Sequence, residues 1–150
     1  MHRPLIFICI IYFIISCNTR QQQLSTVSKP VEVSEAINCY RYINNKDTVM
    51  LKTISVNGYI TGTLVYNFYE KDKNKGTIRG KMTGDLLVAD YTFNAEGMES
   101  VRQVAFKKTG TAFIEGYGDI KTINDKAIFK NIDSLDFSHS PVLSEIDCEK

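Results

Sequence analysis

The feature that most constrains this chain is the alternation of apolar and polar side chains in short segments. In the clearest of them, Tyr59–Tyr69, Ile60, Leu64 and Tyr66 fall on one face and threonines on the other. A period of two is typical of a β-strand with one buried face. The turn pair Asn57-Gly58 precedes the segment and is a strong hairpin signal. Turn signals recur about every 8–12 residues, which predicts an all-β sandwich or barrel.

The pattern predicts an antiparallel up-and-down meander that closes into a small barrel of about eight strands, because closure removes exposed sheet edges. Glycines inside three of the strands, at 62, 80 and 116, suit a strongly coiled sheet. At most one helical turn is expected, near Val33–Ile37 or Glu96–Ser100. The tail from Ile132 to Lys150 is less regular, but it is apolar enough to dock on the barrel. The predicted strands are 38–44, 47–56, 59–69, 76–83, 86–94, 99–107, 111–117 and 126–132.

The N-terminus has the form of a signal peptide. Residues 5–16 are apolar and uncharged, follow Arg3, and are too few to span a bilayer comfortably. Ile14-Ile15-Ser16-Cys17 resembles the bacterial lipobox, which implies cleavage before Cys17 and attachment of diacylglycerol to its thiol. Several acyl chains give stable anchoring without a spanning helix. An ordinary secretory signal with a chance cysteine, or an uncleaved anchor, is the alternative.

The sequence therefore predicts three parts: a signal peptide over 1–16, a lipidated N-terminus with a flexible linker over 17–36, and a single β-barrel-like domain over 37–150. The linker is rich in Gln, Ser and Thr. Asn18 stands where an Asp would suggest retention in the inner membrane, so by analogy we expect an outer-membrane location in the cell envelope.

Two further cysteines, Cys39 and Cys148, lie near opposite ends of the predicted domain. In an oxidising compartment such a pair predicts a disulfide. Free thiols or metal ligands are the alternatives. Metal binding is disfavoured because no second Cys or His lies at ligand spacing to either residue.

Charge argues against nucleic-acid binding. Removal of the signal peptide takes only Arg3 from the 18 basic residues, so 17 basic and 17 acidic residues remain. Phosphate binding needs clustered Lys and Arg in excess.

Sequence motifs give little support to an enzyme or a cofactor. His139 is the single histidine after processing, and its Ser-His-Ser-Pro context suggests a solvated loop. Asp72–Gly76 faintly resembles a calcium loop, but its lysines disfavour a cation. We expect no metal, no cofactor and no catalytic residue.

The candidate binding residues lie on the predicted inward faces. Arg102 shares a face with Phe106, and Glu115 shares one with Phe113 and Tyr117. If both charges point inward they could pair or bind a polar ligand; the alternative is that each points outward at a rim, and Asp90 is a weaker candidate. Barrels of this size are filled by side chains or hold one small ligand. The aromatic residues that would line a cavity, or simply pack the core, are Tyr66, Phe68, Tyr91, Phe93, Phe106, Phe113 and Tyr117.

The domain also resembles a group of small Bacteroidetes lipoproteins to which no activity is assigned. The resemblance implies an envelope lipoprotein and supplies no catalytic residue; a lipocalin-like or calycin-like barrel is an analogy of fold alone. The segments that carry the resemblance are Cys39-Tyr40, Thr61–Leu64, Tyr66–Asp72, Gly76–Ile78, Ala89–Phe93, Glu96-Gly97, Glu99–Val101, Glu115–Gly118 and Asp147-Cys148.

Together these observations predict a monomeric, lipid-anchored envelope protein with a non-enzymatic binding or interaction domain. Its partner would be a small apolar molecule inside the barrel or another envelope protein at the rim. The alternative is a structural or stress-related lipoprotein that holds no ligand.

Overall fold

The computed structural model describes residues 35–71 and 73–148. The predicted signal peptide, Cys17 and most of the linker lie outside the described residues. Within residues 35–71 and 73–148, no helix has the length and hydrophobicity that a membrane span requires. The strands are β1 (Ala36–Asn44), β2 (Asp47–Val56), β3 (Tyr59–Asn67), β4 (Asn74–Thr83), β5 (Leu86–Ala95), β6 (Met98–Thr109), β7 (Ala112–Gly116), β8 (Ile120–Ile123), β9 (Lys126–Phe129) and β10 (Val142–Ile146).

Eight of these strands form a closed antiparallel barrel. Strands β1 to β7 follow one another as an up-and-down meander, and β10 completes the ring between β7 and β1. The ring also needs the β5–β6 pairing, which extends over the full length of β5. The predicted all-β meander and barrel are thus confirmed, and the architecture is consistent with a calycin-like fold.

The position of the last barrel strand differs from the prediction. The predicted eighth strand, 126–132, is instead β9, which forms a hairpin with β8 through Asn124-Asp125 beside the barrel. The strand that closes the ring is β10, in the tail expected to dock irregularly. Only Leu143 of β10 is fully buried. A five-residue strand with one core residue carries too weak an alternation to predict.

The short helical segment also lies elsewhere than expected. Ala36 and Ile37 belong to β1, and Glu96-Gly97 forms the tight turn between β5 and β6 with positive φ angles. Among the described residues, the helix is a single 3-10 turn, Ile132–Ser134, whose N-cap Asn131 accepts a hydrogen bond from the Asp133 amide at 3.0 Å.

The barrel interior is packed with large side chains. The residues that are almost wholly shielded from solvent include Tyr40, Leu51, Leu64, Ile78, Leu87, Tyr91, Phe106 and Leu143. Tyr40 and Phe113 meet edge to face with ring centroids 4.8 Å apart. Packing of this kind fills the centre of an eight-stranded barrel with side chains.

Two glycines in the barrel wall permit close contacts that a side chain would prevent. A Cβ atom on Gly62 would lie 1.8 Å from the carbonyl oxygen of Lys52, so β2 and β3 approach too closely for any side chain there. Gly116 of β7 faces outward, and a Cβ atom there would lie 2.6 Å from the ring of Phe137. The segment after the 3-10 turn thus packs directly on the outer surface of β7.

A disulfide between Cys39 and Cys148 joins the first barrel strand to the chain just beyond the last. The Cα atoms are 5.2 Å apart and the two residues are separated by 109 positions in the sequence. The predicted bridge is confirmed. It holds together the two strands that close the ring, β1 and β10.

The barrel has two distinct ends. The near end, where β1 begins, carries the turns over 56–59, 83–86 and 109–112. The far end carries the connections over 44–47, 67–74 and 95–98. Because β1 runs from the near end to the far end, the chain enters the barrel on the side opposite the far-end connections.

Candidate functional site

A buried carboxyl group lies inside the barrel wall toward the far end. Glu115 on β7 is only 3% exposed. Its Oε1 accepts a hydrogen bond from the Tyr66 hydroxyl at 2.6 Å, and its Oε2 accepts one from the Tyr117 hydroxyl at 3.0 Å. Buried charges persist when their oxygens have partners, and here each oxygen has one. Glu115 therefore faces inward, not outward at a rim.

Arg102 on β6 lies above the aromatic side chains of the same end. Its guanidinium carbon is 5.1 Å from the centroid of the Tyr66 ring, 5.5 Å from Tyr91 and 5.8 Å from Phe93. Such distances are those of cation–π contacts. Arg102 itself remains exposed to solvent. Within residues 35–71 and 73–148, its guanidinium forms neither a hydrogen bond nor an ion pair at 4.0 Å or less, and it does not pair directly with Glu115.

The Tyr91 hydroxyl is a buried polar group without a partner among the described residues. Its side chain is 0% exposed, and its ring lies 5.8 Å from Tyr66 and stacks on Phe93 at 4.7 Å. Native proteins leave few such groups unsatisfied, because each costs about 1–3 kcal/mol. We refer to Tyr66, Tyr91, Arg102, Glu115 and Tyr117 as the far-end cluster.

The electrostatics of the far-end cluster follow from its burial. Burial raises the pKa of the Glu115 carboxyl above its ordinary value, against the opposing effects of the two tyrosine hydrogen bonds and the Arg102 charge. Burial and the adjacent Glu115 also raise the pKa values of Tyr66 and Tyr117. Burial raises the pKa of Tyr91 to about 12. All three tyrosines therefore stay protonated as hydrogen-bond donors at neutral pH.

A gap in the barrel wall gives access to this cluster. Strand β7 leaves β6 after Gly116, which pairs with Ala105, while β9 joins β6 in parallel only at Val101 and Arg102. Between these two pairings lies a cavity of about 120 Å³. Its lining includes Arg102, Gln103, Val104, Glu115, Tyr117, Gly118, Ile120, Ala127 and Phe129. We call this cavity the β6–β7 gap.

The remaining predicted lining residues belong to the packed core. Phe68 packs against Tyr66 at 5.9 Å, and Phe106 and Phe113 are buried with ring centroids 6.2 Å apart. Phe113 also lines a second cavity at the near end. Asp90 is on the outer face, where it forms an ion pair with Lys126. Its outward position follows from Ala89 and Tyr91, its inward-facing neighbours on β5, so the interpretation of Asp90 as a member of the site was wrong.

Sequence reasoning did not find the apolar side of the gap. Ile120, Ala127 and Phe129 come from the β8–β9 hairpin, which was not predicted as a hairpin beside the barrel. The predicted strands 99–107 and 111–117 gave no sign of it, because the unequal lengths that open the gap, 12 residues in β6 and 5 in β7, appear only in the structure.

Other features are larger than the gap, but among the described residues their linings contain no buried charged side chain. A cavity of about 230 Å³ lies at the near end, lined in part by Asn38, Thr53, Ile60 and Lys108, and a shallow outer groove runs along β3 to β5. Within the described parts of the chain, no group of three or more His, Cys, Asp or Glu side chains is placed to hold a metal ion. The His139 side chain is 91% exposed, beside Asp136.

Comparison of the chain with models of known families, with curated proteins and with solved structures found no match.

Proposed function

We propose that this chain is a lipid-anchored, non-enzymatic binding protein of the cell envelope, and that its barrel binds its partner at the β6–β7 gap. The single observation that carries the binding part is the far-end cluster. There an exposed guanidinium is held on aromatic rings beside a buried, hydrogen-bonded carboxyl group, at an opening in the barrel wall.

The proposed anchor is the lipid on Cys17. An apolar segment without charge, followed by Ile14-Ile15-Ser16-Cys17, is the pattern of a lipoprotein signal. The resemblance to small Bacteroidetes lipoproteins supports the same compartment, and Asn18 supports the outer membrane. The disulfide between Cys39 and Cys148 is what an oxidising compartment outside the cytoplasm favours.

The packing of the barrel favours a partner at the gap over an apolar molecule in the centre. An apolar molecule in the centre would need an empty cavity there. The central positions are instead occupied by side chains such as Leu64, Tyr91 and Phe106, each 0% exposed. The polar groups that could fix an orientation, Arg102 and Glu115, lie together at the gap.

The position of the gap relative to the start of β1 supports this assignment. β1 begins at the near end, so a tether that leads to Ala36 attaches there. Tyr66 and Arg102 lie in the far half, toward the connections over 67–74 and 95–98. A partner could therefore approach the gap without displacing the attachment of the chain.

Binding is favoured over catalysis by the way in which the ionisable groups are held. A general acid or base must exchange its proton with a substrate within hydrogen-bond reach. Both oxygens of Glu115 already accept hydrogen bonds from tyrosine hydroxyls that remain protonated at neutral pH. The carboxyl group is thus fixed in place, which suits recognition.

A second candidate is a structural envelope lipoprotein that holds no ligand. The filled interior and the disulfide that ties β1 to the chain end favour it, because both serve stability alone. The two candidates differ in whether anything is retained at the gap.

Native mass spectrometry of the lipidated protein, purified from its own envelope, tests the proposal. We expect a retained molecule or partner that is lost in Arg102→Gln and kept in Arg79→Gln. Arg79 is a matched control because it is an exposed strand arginine on the outer face of β4. A wild-type spectrum without a bound mass, or a bound mass kept in Arg102→Gln, would contradict binding at the gap.

A further inference from the structure

We infer that the β6–β7 gap binds the carboxylate end of a small amphiphilic acid. Arg102 would bind the carboxylate, and the exposed apolar rim would contact the hydrocarbon tail of the ligand. The inference rests on the proposed function and specifies the chemistry of its ligand.

Arg102 is the group that recognises the anion. A guanidinium presents its N–H donors in a planar fork that matches the two oxygens of a carboxylate. The rings of Tyr66, Tyr91 and Phe93 contact Arg102 at distances of 5.1 to 5.8 Å from their centroids. Aromatic contact restrains the side chain without using its N–H donors. In the described part of the chain no carboxylate pairs with this guanidinium, so an incoming anion displaces no internal ion pair.

The balance of charge favours a monoanion. Among the described residues that line the gap, Arg102 is the one cationic side chain, and Glu115 lines the same gap. A phosphate group, with its greater charge, would meet one guanidinium and a neighbouring carboxyl group. A single carboxylate matches a single guanidinium, and the tyrosine hydroxyls on Glu115 reduce its repulsion of the ligand.

The rim of the gap is apolar and exposed. Tyr117 is 49% exposed and Ile120 is 58% exposed, and both line the gap together with Ala127 and Phe129. Apolar side chains beside a fixed polar group are the usual composition of a small-molecule site. The arrangement suits a ligand whose charged end is recognised and whose hydrocarbon part covers Ile120 and Tyr117.

The volume of the gap limits what enters it. A cavity of about 120 Å³ is smaller than the roughly 300 Å³ of a usual ligand site. It therefore accommodates a carboxylate and a few methylene groups, while a longer chain would extend over the rim. We expect affinity to rise with chain length from acetate until the apolar rim is covered.

The test uses the lipidated protein in lipid nanodiscs and equilibrium dialysis of radiolabelled hexanoate, with empty nanodiscs subtracted. We expect hexanoate to bind more tightly than acetate or hexan-1-ol, since each of these lacks one half of the ligand. Arg102→Gln should weaken hexanoate binding at least tenfold, Arg102→Lys should restore part of it, and Arg79→Gln should leave it unchanged. Ile120→Ser should weaken binding of hexanoate more than that of acetate.

Equal binding of hexanoate and hexan-1-ol, or unchanged hexanoate binding in Arg102→Gln, would overturn the inference. Thermal melts of each variant identify loss of folding, and Ile120→Ser provides an independent test because Ile120 is exposed. If native mass spectrometry finds a retained mass that depends on Arg102 while hexanoate does not bind, the assignment of ligand class fails and binding at the gap stands. If neither is found, the proposed function fails as well.

Discussion

Two tyrosine-to-phenylalanine substitutions in the far-end cluster should have different effects on stability. Tyr66 donates a hydrogen bond of 2.6 Å to the buried Glu115, whereas the Tyr91 hydroxyl has no partner among the described residues. Each substitution removes one oxygen atom from a buried ring, and the two rings lie 5.8 Å apart in the same cluster. The pair therefore isolates the contribution of the hydrogen bond.

The magnitudes follow from the partners. Tyr66→Phe leaves a buried oxygen of Glu115 without its partner, which costs about 1–3 kcal/mol, so the free energy of unfolding should fall by that amount. Tyr91→Phe removes an unsatisfied polar group, so it should be neutral or should stabilise the fold by up to about 1 kcal/mol. At roughly 4 °C per kcal/mol for a domain of this size, Tyr66→Phe should melt about 4–12 °C below the wild type.

Urea unfolding of the two variants and the wild type at neutral pH, followed by circular dichroism, measures the difference. Equal losses of stability in Tyr66→Phe and Tyr91→Phe would refute the assignment of the hydrogen bond to Tyr66 and of the unsatisfied hydroxyl to Tyr91. The double variant should show the sum of the two effects unless Tyr91 gains a partner when the Tyr66 hydroxyl is removed.

Three further predictions concern the disulfide, the buried carboxyl group and the anchor. Reduction of the Cys39–Cys148 bridge removes a crosslink across 109 positions, which the chain-entropy model values at about 4.7 kcal/mol for a loop of about 100 residues. The melting temperature should therefore fall by roughly 10 °C or more in differential scanning calorimetry, and an unchanged melt would count against a stabilising bridge. The pKa of Glu115 is raised in the folded state, so the folded protein holds this proton more tightly than the unfolded chain does. The contribution of the protonated Glu115 to the free energy of unfolding is therefore lost as pH rises from 4.5 through the raised pKa. Glu115→Gln should gain stability relative to the wild type as pH increases above 4.5 in urea titrations; a difference that is constant with pH would contradict the raised pKa. Cys17→Ser should move the protein from the membrane fraction to the soluble fraction, and continued sedimentation with membranes would indicate another anchor.

The sequence pattern predicted the barrel strands wherever alternation and turn residues agreed. Strand β2 has the predicted bounds, and β3 and β5 differ by one or two residues at one end. The turn at Asn57-Gly58 formed as expected, with both residues at positive φ. Closure by β10 could not be read in the same way, since its position depends on pairing with β1 and β7 far away in the sequence.

Alternation placed Arg102 and Glu115 on the same faces as Phe106 and Phe113, but it left open whether those faces point inward and how exposed each charge is. Both residues share the inward face of their strands, yet Glu115 is buried and Arg102 is exposed. The difference arises because β7 ends at Gly116 and opens the wall beside Arg102. Where one strand ends relative to its neighbour is a tertiary property, and the alternation of a single strand carries no information about it.

The lipid on Cys17 is the claim on which the compartment, the oxidised disulfide and the proposed partner all depend. The most direct test is the intact mass of the protein isolated from its own membranes, together with the mass of its N-terminal peptide. We predict a chain that begins at residue 17 and carries a diacylglyceryl thioether, usually with a further acyl group on the new amino terminus. An unmodified thiol at Cys17, or a chain that begins at any other residue, would contradict the account.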